Sequence, residues 1–172
     1  MVRAFVGIGS NINPQQNVRA ALQRLAQRTH VVAISMVYRT AALGRPEQAP
    51  YYNCVAQLET SAPPLAVKQE ILRPIEAHLG RTRFADKYAP RTIDLDLIVY
   101  GDRTVEADGI RIPDPEIMER PFLAIPLFEL APNLVLAGVN RPIAEIAAAL
   151  QARGMTPLPE YAQLLKRDLE RL

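Results

Sequence analysis

The sequence lacks several residues on which common functional sites depend. It contains no tryptophan, two histidines and one cysteine among 172 residues. A single cysteine, Cys54, excludes an intrachain disulfide and is typical of a reducing compartment. We interpret Cys54 as a small core residue rather than a reactive thiol.

A large charge of one sign and long apolar runs are also missing. The formal net charge is only +2, which is too small to indicate a nucleic-acid partner. No apolar run is long enough to cross a membrane, and no basic segment precedes an apolar one near the start. We therefore expect a cytoplasmic, monomeric protein that binds neither nucleic acid nor membrane, with residues 1–172 forming one domain.

Two nucleotide-binding motifs are absent or incomplete. The chain has no G-x-x-x-x-G-K-[ST] and only three lysines, which excludes a P-loop kinase. The run GIGSN at residues 7–11 lacks the third glycine of a dinucleotide fingerprint. Its two glycines still permit a ligand to approach the backbone closely, although tight strand-to-loop geometry explains them equally well.

The most informative stretch present is PRTIDLDLIVY, residues 90–100. Asp94 and Asp96 alternate with Ile93, Leu95 and Leu97, which is typical of a β-strand. Both carboxylates therefore leave one face while the apolar residues enter a core. Such a pair repels unless a proton or a cation intervenes, and carboxylates with substrate phosphates are usual ligands of Mg²⁺. The alternative interpretation is the solvated face of an edge strand.

Arginines approach the same strand. Arg81 and Arg83 follow Gly80, and Arg91 precedes Asp94 by three residues. Arginine matches phosphate oxygens bidentately, so cations interleaved with carboxylates favour phosphoryl transfer. A purely structural salt-bridge network stays open as the alternative.

The rest of the pattern predicts the surrounding elements. Apolar runs predict strands at residues 2–8, 31–38 and 52–60, with a loop at 39–50. Asn13 and Pro14 predict the cap and start of a helix with an apolar face of Val18, Ala21, Leu22 and Leu25. A second helix, from Pro63 to Leu79, should kink near residues 70–74, because Pro74 cannot bond the Glu70 carbonyl.

The C-terminal part is predicted to be mainly helical. Asp114 and Pro115 look like a helix cap and first helical residue, and helices are predicted at 122–130, 142–152 and 161–172. The order strand, helix, strand, strand, helix, strand predicts an α+β ferredoxin-like sandwich, with an antiparallel sheet and additional C-terminal helices.

The run KYAPRTIDLDLIVYG closely resembles the signature of the 6-hydroxymethyl-7,8-dihydropterin pyrophosphokinases. The motifs IGSN, YRTAALG, YYN and IPLFELAP follow in the family's order over most of the chain. The resemblance implies a folate-pathway transferase that moves pyrophosphate from ATP to the pterin hydroxymethyl group and releases AMP.

The resemblance also implies roles for individual residues. Asp94 and Asp96 would hold two Mg²⁺ ions and, with Arg81 and Arg91, form the catalytic set. The positions that match the ATP site are Glu76, Arg81, Arg83, Arg91, Leu97, Arg111, Asp114 and Arg120. The pterin would lie between Tyr51 and Phe122, and its site would comprise Thr40, Ala41, Leu43, Tyr51, Asn53, Tyr88 and Phe122.

The sequence departs from the family pattern at several places. The usual PPLG reads AALG at Ala41 and Ala42, so the loop loses two fixed φ angles. Asp114 replaces the usual histidine and puts a carboxylate near the nucleotide, where Arg111 could compensate. Pro74 lies close to Glu76 in the chain.

Three other classes of function are alternatives to pyrophosphoryl transfer. An RNA-binding module would need aromatic residues where the central strand has Asp94 and Asp96. A metal-dependent phosphatase or nuclease usually brings histidine or further aspartate to its metals. A non-catalytic relative that binds pterin or nucleotide without turnover is the remaining alternative.

Overall fold

An antiparallel sheet of six strands forms the centre of the molecule in the computed structural model, which describes all 172 residues. The strands are β1 (Val2–Ser10), β2 (His30–Ile34), β3 (Tyr38–Thr40), β4 (Tyr51–Thr60), β5 (Asp94–Tyr100) and β10 (Met155–Pro157). Their order is β10-β3-β4-β1-β5, with β2 also paired to β4. The predicted antiparallel sheet is confirmed.

Helices cover both faces of this sheet. On one face lie α1 (Pro14–Arg28), α2 (Pro64–Ala66), α3 (Arg73–His78) and α6 (Pro159–Glu170). On the other lie α4 (Pro121–Leu130) and α5 (Ile143–Leu150). Strand β4 is buried on both sides, since Cys54 belongs to one core cluster and Val55 to the other. The α+β sandwich with additional C-terminal helices is confirmed.

The predicted strand at residues 31–38 is divided into β2 and β3. Ser35 interrupts it, because the Ser35 hydroxyl accepts a hydrogen bond from the Val55 amide at 2.9 Å. The following Met36 amide donates to the Glu129 carboxylate at 2.8 Å rather than to a strand. Thr40 consequently lies at the end of β3 and not within the loop predicted at 39–50.

The second helix is irregular just before Pro74, where a kink was predicted, and the irregularity is a π-helical segment. A π-helical segment, Val67–Leu72, joins α2 to α3, and the Arg73 amide donates to the Lys68 carbonyl five residues earlier. The Glu70 carbonyl, which the proline cannot bond, accepts from Arg28 Nη1 at 3.3 Å. The wider π-helical turn accommodates the missing amide of the proline, because it shifts the backbone hydrogen bonds by one residue.

One predicted helix cap is wrong and the other is confirmed. Asn13 has a left-handed conformation with φ of 43° and makes no side-chain cap. Asp114 does cap a 3₁₀ turn, Pro115–Met118, because its Oδ1 accepts from the Glu116 amide at 2.9 Å.

The central strand begins at Asp94 rather than residue 90, since the backbone of Arg91 bonds to Asn11 instead.

Two short hairpins were not predicted. They consist of β6 (Val105–Ala107) with β7 (Ile110–Ile112), and β8 (Val135–Leu136) with β9 (Arg141–Pro142). The three predicted C-terminal helices correspond to α4, α5 and α6 with shifted ends. None of the helices combines the length and the apolar character that crossing a membrane requires.

Candidate active site

A cleft on the α4 side of the sheet has two glycines as its floor. Gly9 of β1 lies opposite Asn53 of β4 and opposite Asp94 of β5, while Gly7 lies opposite Asp96. A Cβ added to Gly9 would lie 2.8 Å from Asn53 Oδ1, and one added to Gly7 would lie 3.1 Å from a Leu123 methyl carbon. The cleft therefore requires strand positions without side chains, which supports the close-approach interpretation of GIGSN.

One half of the cleft suits a flat heterocycle. Asn53 is buried, and its Nδ2 donates to Thr40 Oγ1 at 2.8 Å. Aromatic rings and a buried amide are the groups that bind a planar ring with polar edges. The structure brings together all seven residues predicted for the pterin: Thr40, Ala41, Leu43, Tyr51, Asn53, Tyr88 and Phe122.

The other half of the cleft contains the paired carboxylates. Asp94 and Asp96 both line it, whereas Leu95 between them is in the core, as the alternation predicted. Arg91 Nη1 lies 2.6 Å from Asp94 Oδ2, and Arg81 Nη2 lies 3.9 Å from Asp94 Oδ1. Each oxygen of Asp94 thus has an arginine as its nearest cation.

The Asp96 carboxylate is electrostatically destabilised in its charged form. Burial by the cleft walls raises its pKa well above the usual value, and the charge of Asp94 raises it further. The Asp96 side chain is nevertheless exposed to solvent along the cleft, which weakens the effect of burial on its pKa. The like charge of Asp94 acts on the pKa whether or not solvent reaches Asp96. A cation bound between these groups would relieve the repulsion.

Two arginines, one lining the cleft and one beside it, have side-chain donors without a partner in the protein. Arg81 Nε and Arg120 Nε are both buried and have no hydrogen-bond partner. An unsatisfied buried donor costs about 1 to 3 kcal/mol, which an anionic ligand would recover. Arg120 also immediately precedes α4, where the helix N-terminus favours negative charge.

Six residues predicted for the ATP site do not line this cleft: Glu76, Arg81, Arg83, Leu97, Arg111 and Asp114. The Leu97 side chain is in the hydrophobic core. Arg83 bonds to the buried Glu76, and Arg111 lies 4.0 Å from Glu106. Arg111 and Asp114 instead border a neighbouring groove between the two short hairpins. The residues predicted for ATP are therefore more scattered in the structure than those predicted for the pterin.

Two loops, residues 41–50 and 80–90, touch each other above the cleft. Arg45 forms an ion pair with Asp86 at 2.7 Å, and Gln48 Nε2 donates to the Tyr88 carbonyl at 2.8 Å. Asn11 links the first loop to the end of the second, because its Nδ2 donates to the Ala49 carbonyl and its Oδ1 accepts from the amide of Arg91, the residue that follows the second loop.

Three residues at or beside the cleft escaped the sequence analysis as individuals. Asn11 belongs to the recognised IGSN motif, so the motif pointed to its region without revealing that it links the loops. Lys87 and Glu116 line the cleft. Lys87 begins the quoted run KYAPRTIDLDLIVYG, so that motif pointed to its region, whereas nothing in the sequence distinguishes Glu116 from an ordinary surface charge.

Sequence comparison finds relatives that match over most of the chain. The family model for 7,8-dihydro-6-hydroxymethylpterin-pyrophosphokinase (HPPK) matches residues 5–132. A 2-amino-4-hydroxy-6-hydroxymethyldihydropteridine pyrophosphokinase of Haemophilus influenzae is 38% identical over 139 residues, covering 79% of this chain and 86% of the relative. The protein of that name from Pseudomonas aeruginosa is 35% identical, covering 91% of this chain and 97% of the relative.

Solved structures give the same fold. The wild-type HPPK-DHPS of Plasmodium falciparum, solved with pteroate, has a TM-score of 0.68 over 88% of this chain at 11% sequence identity. This chain spans only 43% of that longer protein, and at such low identity the likeness shows the fold alone. The family model and the relatives at 35 to 38% identity go further. They show that the chain belongs to the 7,8-dihydro-6-hydroxymethylpterin-pyrophosphokinase family.

Proposed function

We propose that this protein transfers the pyrophosphoryl group of ATP to the hydroxymethyl oxygen of 6-hydroxymethyl-7,8-dihydropterin, with release of AMP. The observation that carries the proposal is the position of Gly9 between Asn53 and Asp94 in three paired strands. Adjacent strands are about 4.8 Å apart, so a heterocycle pocket and a carboxylate pair lie roughly 10 Å apart across a bare floor. Such a floor suits two substrates that must meet.

The reaction is an in-line displacement at the β-phosphorus. The pterin hydroxyl oxygen forms a bond to that phosphorus, the bond to the oxygen shared with the α-phosphorus breaks, and AMP leaves. The hydroxyl proton passes to solvent. On the acceptor side, Tyr51 and Phe122 would flank the ring while Asn53, held by Thr40, would bond its polar edge. The protein contributes mainly orientation and exclusion of water.

The phosphate side neutralises charge. Arg91, Arg81 and Arg120 would bind phosphate oxygens, which would also satisfy the free donors of Arg81 and Arg120. Asp94 and Asp96 would hold two Mg²⁺ ions, because they face the cleft together and the Asp96 pKa is raised by burial and by the like charge of Asp94. No larger cluster of metal-binding side chains exists in the protein, so water and phosphates would complete the coordination. Bound Mg²⁺ supplies Lewis-acid polarisation of the transferred group.

We further propose that residues 1–172 act as one catalytic domain. Strand β10 extends the main sheet by pairing with β3, which ends at Thr40 of the cleft. Helix α6 contacts α1 through the ion pair between Asp168 and Arg19 at 2.5 Å. The C-terminal part is thus built onto the sheet that carries the cleft.

A turnover assay tests the proposed function. The purified protein is incubated with ATP, Mg²⁺ and the hydroxymethyl pterin, and nucleotides are separated by chromatography. We expect AMP in amounts equal to the pterin diphosphate, and none with the 6-methyl analogue, which lacks the attacking oxygen. Formation of ADP would contradict pyrophosphoryl transfer. Pterin binding without any AMP would instead favour the non-catalytic alternative, which the scattered ATP-side residues motivate.

The two loops should become better protected when both substrates bind. Their mutual contacts are exposed, and the Arg45–Asp86 pair contributes at most about 1 kcal/mol. We expect slower amide exchange in residues 41–50 and 80–90 after addition of a non-hydrolysable ATP analogue, Mg²⁺ and pterin. Helix α6, which packs on the opposite face of the sheet from the cleft, serves as an internal control that should not change. Unchanged exchange in both loops would refute substrate-driven closure.

Removing the charge of Asp114 should strengthen ATP binding. A carboxylate near triphosphate oxygens opposes binding by about 1 kcal/mol or more, or roughly fivefold in affinity. Asp114→Asn is the matched change, because asparagine can still accept from the Glu116 amide and preserve the cap. Asp114→His introduces the residue usual in the family. Calorimetry should show tighter ATP binding and unchanged pterin binding for both variants.

Salt separates a charge effect from a structural one at Asp114. The gain in ATP affinity should shrink as ionic strength rises, because exposed charges are screened. Equal affinity of Asp114→Asn and the unaltered protein at low salt would mean that Asp114 acts only as the cap of the 3₁₀ turn.

A further inference from the structure

Glu76 is a buried carboxylate whose two oxygens are both occupied by the protein. Its side chain is 3% exposed, on the side of α3 that faces β5. Oε1 accepts from the Leu95 amide at 2.9 Å. Oε2 accepts from Arg83 Nη2 at 2.7 Å and from Arg73 Nη1 at 3.3 Å. A nucleotide phosphate could not reach this buried carboxylate, and the negative charge of Glu76 would repel it.

The bond to Leu95 occupies a place that a neighbouring strand would otherwise take. Strand β5 lies at the edge of the sheet and pairs only with β1. Outward amides of an edge strand have no ladder partner. Glu76 supplies the missing acceptor at the single residue that separates Asp94 from Asp96.

The bond to Arg83 is of a different kind, because it can be exchanged. The Arg83 side chain is 52% exposed, and it belongs to the loop at residues 80–90. Arg73, in α3 with Glu76, would remain as a counter-ion if Arg83 left. The buried carboxylate would then keep a partner, which avoids the large cost of an unpaired buried charge.

We propose that Glu76 is a positioning residue: through the Leu95 amide it holds the strand that presents Asp94 and Asp96, and through Oε2 it retains Arg83 until nucleotide phosphates compete for it. This inference rests on the proposed function. It assigns Glu76 no contact with substrate, in contrast to the role that the family resemblance implied.

Two substitutions separate the two contacts. In Glu76→Gln one amide oxygen can still accept from Leu95, while the charge that retains Arg83 is lost. In Glu76→Ala both contacts are lost. Asp168→Asn is the matched control, because it removes a carboxylate from the ion pair with Arg19, far from the cleft along α6. Binding of ATP with Mn²⁺ is measured by calorimetry, which does not depend on turnover.

The expected results differ between the variants. Glu76→Ala should raise the Mn²⁺ concentration for half-saturation by about tenfold, because a metal site loosens when support of its ligands is lost. Glu76→Gln should keep the metal dependence and bind ATP about threefold more tightly, since Arg83 is released from a half-exposed pair. Asp168→Asn should change neither quantity, even if its thermal stability falls.

Specific outcomes would overturn the inference. Unchanged metal dependence in folded Glu76→Ala would refute the positioning of Asp94 and Asp96. Unchanged or weaker ATP binding in Glu76→Gln would refute the retention of Arg83, and this test holds even if the alanine variant does not fold. If the unaltered protein binds Mn²⁺ and ATP but forms no AMP, the proposed function fails while the binding tests of Glu76 still decide its role.

Discussion

Asp96→Asn is expected to reduce pyrophosphoryl transfer by about 10³-fold, or roughly 4 kcal/mol of transition-state stabilisation. Asp96 has no hydrogen bond or ion pair within the protein, so the substitution removes a metal ligand without breaking a structural contact. Initial rates at saturating ATP and pterin over a range of Mg²⁺ concentrations measure the effect. Near-normal Mg²⁺-dependent turnover would refute the proposed role of Asp96.

The same substitution should stabilise the metal-free protein at neutral pH. Because the folded-state pKa of Asp96 is raised, folding takes up protons at pH values between the unfolded-state pKa, about 4, and the higher folded-state pKa. The unfolding free energy of the unaltered protein therefore falls as pH rises through that range. Asparagine does not ionise, so the Asp96→Asn variant does not lose this stability. Thermal unfolding with a chelator should show no gain for Asp96→Asn below about pH 4 and a gain at pH 8.

Magnesium provides the control for this stability effect. Added Mg²⁺ should stabilise the unaltered protein and have little effect on Asp96→Asn, because a ligand stabilises only the state that binds it. If both proteins gain equally from Mg²⁺, the ion binds elsewhere.

Gly9→Ala is expected to weaken pterin binding by more than tenfold. The new Cβ would lie 2.8 Å from Asn53 Oδ1, and Asn53 cannot yield freely because it is buried and bonded to Thr40. The amide must move away from the position in which it would meet the pterin edge, and a lost buried hydrogen bond of this kind costs about 1 to 3 kcal/mol. Calorimetric titration with pterin measures the loss.

A double mutant shows whether Asn53 transmits that effect. Asn53→Ala removes the group that Gly9→Ala displaces, so the two changes together should weaken pterin binding little more than Asn53→Ala alone. Fully additive losses would mean that the added methyl group blocks the pterin directly instead. Gly154→Ala is not a suitable control, since Gly154 has a φ of +67° and would be strained by any side chain.

The sequence determined the features of this protein that depend on local patterns. Period-two alternation placed Asp94 and Asp96 on one face and Leu95 in the core, because neighbouring side chains of a strand leave on opposite sides. Helical spacing identified the buried face of α1, and the missing amide of Pro74 located the irregular turn before α3. The order of elements and the quoted motifs were sufficient for the fold and the family.

Only the tertiary structure decided which groups far apart in the chain satisfy one another. The sequence assigned Glu76 to the nucleotide site. In the structure Glu76 is buried against an edge strand, and its oxygens accept hydrogen bonds from Leu95 and Arg83. Asn13 resembled a helix cap, yet the chain path made it left-handed. Asn11 bonds to Gln48 and Arg91, which lie 37 and 80 residues away in the chain. A buried polar group takes whichever partner the packed chain brings within reach, and no local pattern of residues records that choice.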